Sequence, residues 1–132
     1  MKLITRDSDY AIRALCFMAQ HHKKVVSVSD LVKSLHIPRP FLRKLLQVLN
    51  KKAILKSYKG IGGGFSLLKK PQKIGLVEVI EIFQGSIRLN ECFLKKLECP
   101  NTKKCSLRKK INAIEKYVIH ELRSISIESL LQ

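Results

Sequence analysis

Apolar positions recur along this chain with a helical period in five runs, broken once by a glycine-rich stretch of a different character. In residues 8–20, SDYAIRALCFMAQ, Ala11, Leu15 and Met18 fall at helical spacing with Ala14 and Phe17 beside them. This predicts an amphipathic helix with acidic residues at its start. Cys16 lies in the same apolar neighbourhood and reads as a small buried hydrophobe. Next, Ser27 and Asp30 have the S-x-x-D spacing of a capping box, and Val28, Leu31, Val32 and Leu35 form an i, i+3, i+4, i+7 stripe, so a short helix begins there. Ile37 and Pro38 interrupt it, because the residue before a proline is pushed out of the helical region.

RPFLRKLLQVLNKKA then resumes the period, with Leu42, Leu45, Leu46 and Leu49 on one face and Pro40, Arg43, Lys44, Gln47 and Asn50 on the other. Two short helices around a tight turn, the second with one greasy and one basic, amide-bearing face, is the pattern of a helix-turn-helix. An ordinary helical hairpin with a solvated charged face gives the same pattern. The following stretch, ILKSYKGIGGGFSLLKK, predicts a β-hairpin with a basic glycine tip. Its glycines do not make a nucleotide site: Phe65 stands where a dinucleotide fingerprint needs Gly, and no Lys-Ser/Thr follows for a phosphate loop. A helix-turn-helix followed by a basic hairpin is a winged helix, whose Lys56, Tyr58 and Lys59 could reach phosphates or a minor groove.

After Pro71, GLVEVIEIFQG sets Leu76, Val79, Ile80 and Phe83 on one face and closes at Gly85, a C-cap residue. Later, SLRKKINAIEKYVIHELRSI runs Leu107, Ile111, Ile114, Val118 and Leu122 in steps of four and three residues. A long helix with such a stripe needs a partner, and the same helix of a second chain would present two recognition helices to a two-fold DNA site. The expected fold is therefore mainly α with a small β-hairpin wing. A single domain is expected over 1–132, comprising a DNA-binding winged helix (1–85), a cysteine loop (86–105), and a dimerisation helix with its tail (106–132).

Charge sharpens this picture. Lys and Arg number 26 against 10 Asp and Glu, a formal +16, which points to a polyanionic partner. Nucleic acid leads; a ribosome-associated or membrane-surface protein is the alternative. Apolar runs fall short of the roughly 18 residues of a membrane span, and the charged N-terminal residues Arg6, Asp7, Asp9 and Arg13 give no export signal. A cytoplasmic protein with reduced thiols is expected. The four histidines are scattered and no nucleophile or metalloprotease motif occurs, so no enzyme is expected.

The remaining feature is ECFLKKLECPNTKKC, which gathers Cys92, Cys99 and Cys105 in a lysine-rich segment. The spacing does not suit a zinc ribbon, which needs paired C-x2-C turns. Thiolates are favoured among cations, and Lys95, Lys96, Lys103, Lys104 and Arg108 supply such a field. An iron–sulfur cluster, a zinc ion or a disulfide switch could each use these residues.

Together MKLITRDSDYAIRAL, the helix-turn-helix SDLVKSLHIPRPFLRKLLQVLNKKAIL, the wing SYKGIGGGF and the late three-cysteine segment resemble the Rrf-two family of bacterial winged-helix transcription regulators, particularly its iron–sulfur members of the IscR and NsrR type. The likeness covers nearly the whole chain. It implies a homodimer whose cluster, 4Fe–4S or 2Fe–2S, is held by Cys92, Cys99 and Cys105 plus one further ligand, and whose state sets the affinity for a two-fold operator in duplex DNA. Cys105 is followed by Ser106, Leu107 and Arg108, so the histidine ligand of the IscR pattern is missing; Asp9, before YAIR, matches the aspartate of the NsrR type. Six residues rather than five separate Cys92 from Cys99, a departure that implies a bulge.

The expected function is a DNA-binding regulator, a repressor, that senses nitric oxide, redox or iron–sulfur status. Its DNA contacts would be Arg39, Pro40, Arg43, Lys44 and Gln47 on the second helix of the motif, with Tyr58, Lys59 and Gly60 on the wing. The alternatives are a cluster-free, small-molecule-responsive regulator of the same family and a basic zinc-binding RNA- or ribosome-associated protein.

Overall fold

The computed structural model describes residues 2–21, 25–89 and 105–131. Among the described residues five α-helices and one hairpin follow in chain order: α1 Arg6–Gln20, α2 Val28–Leu35, α3 Arg39–Lys51, β1 Leu55–Tyr58, β2 Gly64–Leu67, α4 Leu76–Gln84 and α5 Ser106–Arg123. Short 3-10 turns at Pro71–Lys73 and Glu128–Leu130 complete the path.

The starts of α1 and α2 are set by side-chain caps. The Ser27 side chain accepts from the Asp30 backbone N–H at 3.0 Å and caps α2, as its capping-box spacing requires. Thr5 does the same for α1 through the Ser8 N–H. α2 ends at His36, which adopts the left-handed conformation at φ 55° and returns its N–H to the Val32 carbonyl. Ile37 is buried in the turn and Pro38 precedes α3, so the two helices of the motif are set by a left-handed cap, an apolar anchor and a proline.

The core lies where α1, α2, α3 and the hairpin meet. Ala11, Ala14 and Leu15 of α1, Leu31 of α2, Leu42, Leu46 and Leu49 of α3, and Leu55 of β1 are all essentially inaccessible to solvent. Fully burying a leucine side chain contributes about 1.5–3 kcal/mol, and this leucine set fixes which face of α3 is left to water. The hairpin pairs antiparallel, Leu55 opposite Leu67 and Tyr58 opposite Gly64. A single bridge from Val26, with hydrogen bonds of 2.8 and 2.9 Å to Phe65, adds the α1–α2 connection to the sheet.

The segment after α5 does not trail away. Ile127 is wholly buried in the core, Ser126 forms a bridge to Gly75, and the Leu76 N–H donates to the Ile125 carbonyl at 2.9 Å. The residues grouped in the sequence as a tail therefore help to close the winged-helix core. α5 itself has no buried residue. Ile119, Leu122 and Ile125 rest partly on Leu76, Val77 and Ile80 of α4, whereas Leu107, Ile114 and Tyr117 are exposed.

Candidate nucleic-acid interface

Because Leu42, Leu45, Leu46 and Leu49 are turned inward, α3 must turn Arg39, Arg43 and Gln47 outward, one above another at steps of four residues. This row faces the hairpin across a cleft whose other wall carries Tyr58, Lys59 and Gly60. Six of the eight residues expected to touch DNA thus line one cleft; Pro40 and Lys44 are exposed on α3 but lie outside it. The sequence reading missed Ser27, Ser29 and Ser57, which line the same cleft. Ser29 has a definite role there: its hydroxyl accepts from Arg39 Nη2 at 3.0 Å and aims the guanidinium. The signal was its place in the first turn of α2, beside the start of α3.

The wing's shape depends on particular glycines. Gly60 and Gly62 have φ of 87° and 77°, and the Gly63 N–H closes the tip on the Gly60 carbonyl at 3.0 Å. A Cβ on Gly64 would lie 2.2 Å from the Val26 carbonyl oxygen, so only glycine allows the wing to dock on the α1–α2 connection. Lys56 Nζ sits 5.4 Å from the Tyr58 ring centroid, giving the wing a cation stacked on an aromatic face.

Of the three cysteines expected to ligate a cluster, Cys105 lies among the described residues. Cys105 is the N-cap of α5, and its Sγ accepts from the Arg108 N–H at 3.5 Å. A cysteine sulfur is the donor type that an iron–sulfur cluster uses. Cys92 and Cys99 lie outside the described residues. Asp9 stands in the first turn of α1, where its carboxylate pairs with Arg13 at 3.0 Å. Among the described residues no group of three or more His, Cys, Asp or Glu side chains is poised to hold a metal. Cys16 is half-buried against the core, and burial pushes its thiol above its ordinary value of 9.0, in keeping with a packing role. None of the described helices is long and apolar enough to cross a membrane.

The family model described as Rrf2, iron-dependent transcriptional regulator, matches residues 4–132. A putative HTH-type transcriptional regulator of Aquifex aeolicus is 39% identical over 90 residues, covering 68% of this chain and 62% of that protein. The HTH-type transcriptional regulator NsrR of Bacillus licheniformis is 32% identical over 114 residues, 85% of this chain and 79% of the relative. Among solved structures, CymR, the global cysteine regulator of B. subtilis, superposes with a TM-score of 0.81 at 23% identity, covering 98% of this chain and 96% of that one. T. potens IscR superposes with a TM-score of 0.68 at 24% identity, covering 98% and 85%. At these identities the structures speak to the fold alone, and it is the winged-helix fold expected from the sequence. These relatives are regulators rather than enzymes. The chain belongs to the Rrf2 family of transcriptional regulators.

Proposed function

We propose that this chain is a cytoplasmic, homodimeric transcriptional repressor that binds a two-fold operator in duplex DNA with an affinity set by an iron–sulfur cluster. The observation that carries the DNA reading is the cleft between Arg39, Arg43 and Gln47 on α3 and Tyr58, Lys59 and Gly60 on the wing. Arginine offers a bidentate fork to guanine and glutamine a bidentate amide to adenine, and lysine and backbone N–H groups on the wing suit phosphates. The dimer reading is supported by α5, an 18-residue helix with no buried residue and with Leu107, Ile114 and Tyr117 exposed.

In this reading Cys92, Cys99 and Cys105 would hold the cluster, and Asp9 of the second subunit would complete it. When bound, the cluster would supply an exchangeable iron–sulfur centre open to nitric oxide, oxygen or iron loss. The protein's part is to hold the thiolates on the segment leading into α5 and to bring a carboxylate from α1. A hard oxygen ligand in a thiolate-rich site is weak, which suits a sensor better than a structural staple.

Anaerobic purification followed by visible absorption, iron and sulfide analysis, and footprinting tests this. The expected result is a brown protein that protects two half-sites about one helical turn apart, roughly 34–36 Å. Cys92→Ser, Cys99→Ser and Cys105→Ser should each remove the cluster, and Cys16→Ala should leave it. A colourless protein that still selects duplex DNA would favour the cluster-free regulator; stoichiometric zinc with preference for RNA would overturn the whole reading.

A further inference from the structure

One side chain outside the cleft makes three hydrogen bonds to residues some 80 positions away in the sequence. Gln84, the last residue of α4, accepts at Oε1 from the Thr5 backbone N–H at 3.0 Å and from Ser8 Oγ at 2.8 Å. Its Nε2 donates to the Leu3 carbonyl at 3.0 Å. Thr5 Oγ1 lies 3.2 Å from Ser8 Oγ and caps α1, so both ends of the carboxamide and both hydroxyls close one network. Ser8 is fully buried within it. The start of α1 is thereby fastened to the end of α4.

What the fastened turn presents is informative. Between Thr5 and Ser8 stands Arg6, whose guanidinium carbon lies 5.1 Å from the ring centroid of Phe41. Phe41 is 44% exposed on the first turn of α3, between Arg39 and Arg43. Arg6 thus covers an otherwise open aromatic face on the helix whose polar row lines the cleft. Packing of α1 on α3 completes the connection.

We infer that Gln84 is a positioning residue for the DNA-reading face: it fixes the first turn of α1 so that Arg6 holds Phe41, and with it the Arg39 and Arg43 end of α3, at the angle the cleft requires. This rests on the reading that the cleft binds DNA. A network that served only to stabilise the fold would lower the melting temperature without changing which sequences are bound. A positioning network changes sequence choice while the protein remains folded.

The test is a double-mutant cycle in the full chain. A duplex is first obtained by selecting random-sequence duplex DNA on the wild-type protein; the Kd for that duplex and for unselected random-sequence duplex is then measured for wild type, Gln84→Ala, Phe41→Ala and the double variant. Each single variant should weaken binding to the selected duplex about tenfold, leave binding to random duplex within about twofold, and the double should lose no more than the weaker-binding single. Should Gln84→Ala fail to fold by circular dichroism, Gln84→Glu takes its place; it keeps two acceptor positions and loses the donation to Leu3. Unchanged preference for the selected duplex, or losses that simply multiply, would overturn the inference while leaving the DNA reading intact. A wild-type chain that selects no duplex would overturn the DNA reading and the inference with it.

Discussion

Asp9 has one role in the fold and a second only in the proposed cluster. Within one chain it pairs with Arg13 one turn further on, with side chains 43% and 57% exposed. A pair this open at i,i+4 contributes about 0.3–0.5 kcal/mol, and the helix dipole adds about 0.3–1 kcal/mol for a carboxylate in the first turn. Asp9→Ala is therefore expected to lower stability by no more than about 1.5 kcal/mol in denaturant titrations, while altering the visible spectrum and the lability of an iron-loaded protein. An iron-loaded variant with the wild-type spectrum would leave Asp9 to Arg13 and the dipole. Cys16 makes a different demand. Burial raises its thiol above 9.0 in the folded chain, so the native state holds that proton more tightly than the unfolded one. Its contribution is fully present below about pH 9 and is lost as the pH rises through the raised folded value. The stability difference between wild type and Cys16→Ala should accordingly shift against wild type above about pH 9, measured as denaturation midpoints across that range; a difference that stays flat would deny the shift.

Among the elements, the wing depends most on single backbone positions. Gly60 and Gly64 both have positive φ, but a Cβ at Gly60 would meet open space and one at Gly64 would strike the Val26 carbonyl. Gly60→Ala should cost only conformational strain, on the order of 1 kcal/mol. Gly64→Ala adds a steric clash that must break the two Val26–Phe65 hydrogen bonds, so about 1–3 kcal/mol more is expected. Chemical denaturation of the two variants decides this, and equal costs would mean the bridge is not what holds the wing. The same comparison shows what the sequence could reveal. Ser27 with Asp30, and the apolar rows of α1 to α3, announce themselves because caps and periods are local signals, and the α3 face followed from them. The Val26–Phe65 bridge, the return of Ile127 to the core and the Gln84 network carry no period. A single bridge or one carboxamide joining residues some 80 apart in sequence becomes visible only when the chain has folded. Ser29 was missed for a similar reason, since its use depends on where α3 starts in space.

At the scale of the whole molecule, charge and fold act together. The chain carries a formal +16, and the cleft places Arg39, Arg43 and Lys59 of that excess around a groove walled by α3 and the wing. Binding to duplex DNA should then release counterions, so that log K falls linearly with log salt, with a slope of about −0.9 for each phosphate neutralised. In the proposed reading the cleft's two walls make separable contributions to this behaviour. Lys59 stands on the wing beside glycine backbone, where a cation neutralises phosphate without reading a base; Lys59→Ala should weaken selected and random duplexes alike and reduce the salt slope by about one. Arg43 and Gln47 stand on the helix with fork and amide aimed outward, so Arg43→Ala and Gln47→Ala should cost about 1–3 kcal/mol on a selected duplex and relax sequence choice at one position each. Titrations of both duplexes over a range of salt concentrations check the division. If Lys59→Ala altered sequence choice with the slope unchanged, the wing rather than α3 would be the reader, and the cleft would have to be turned about on its DNA.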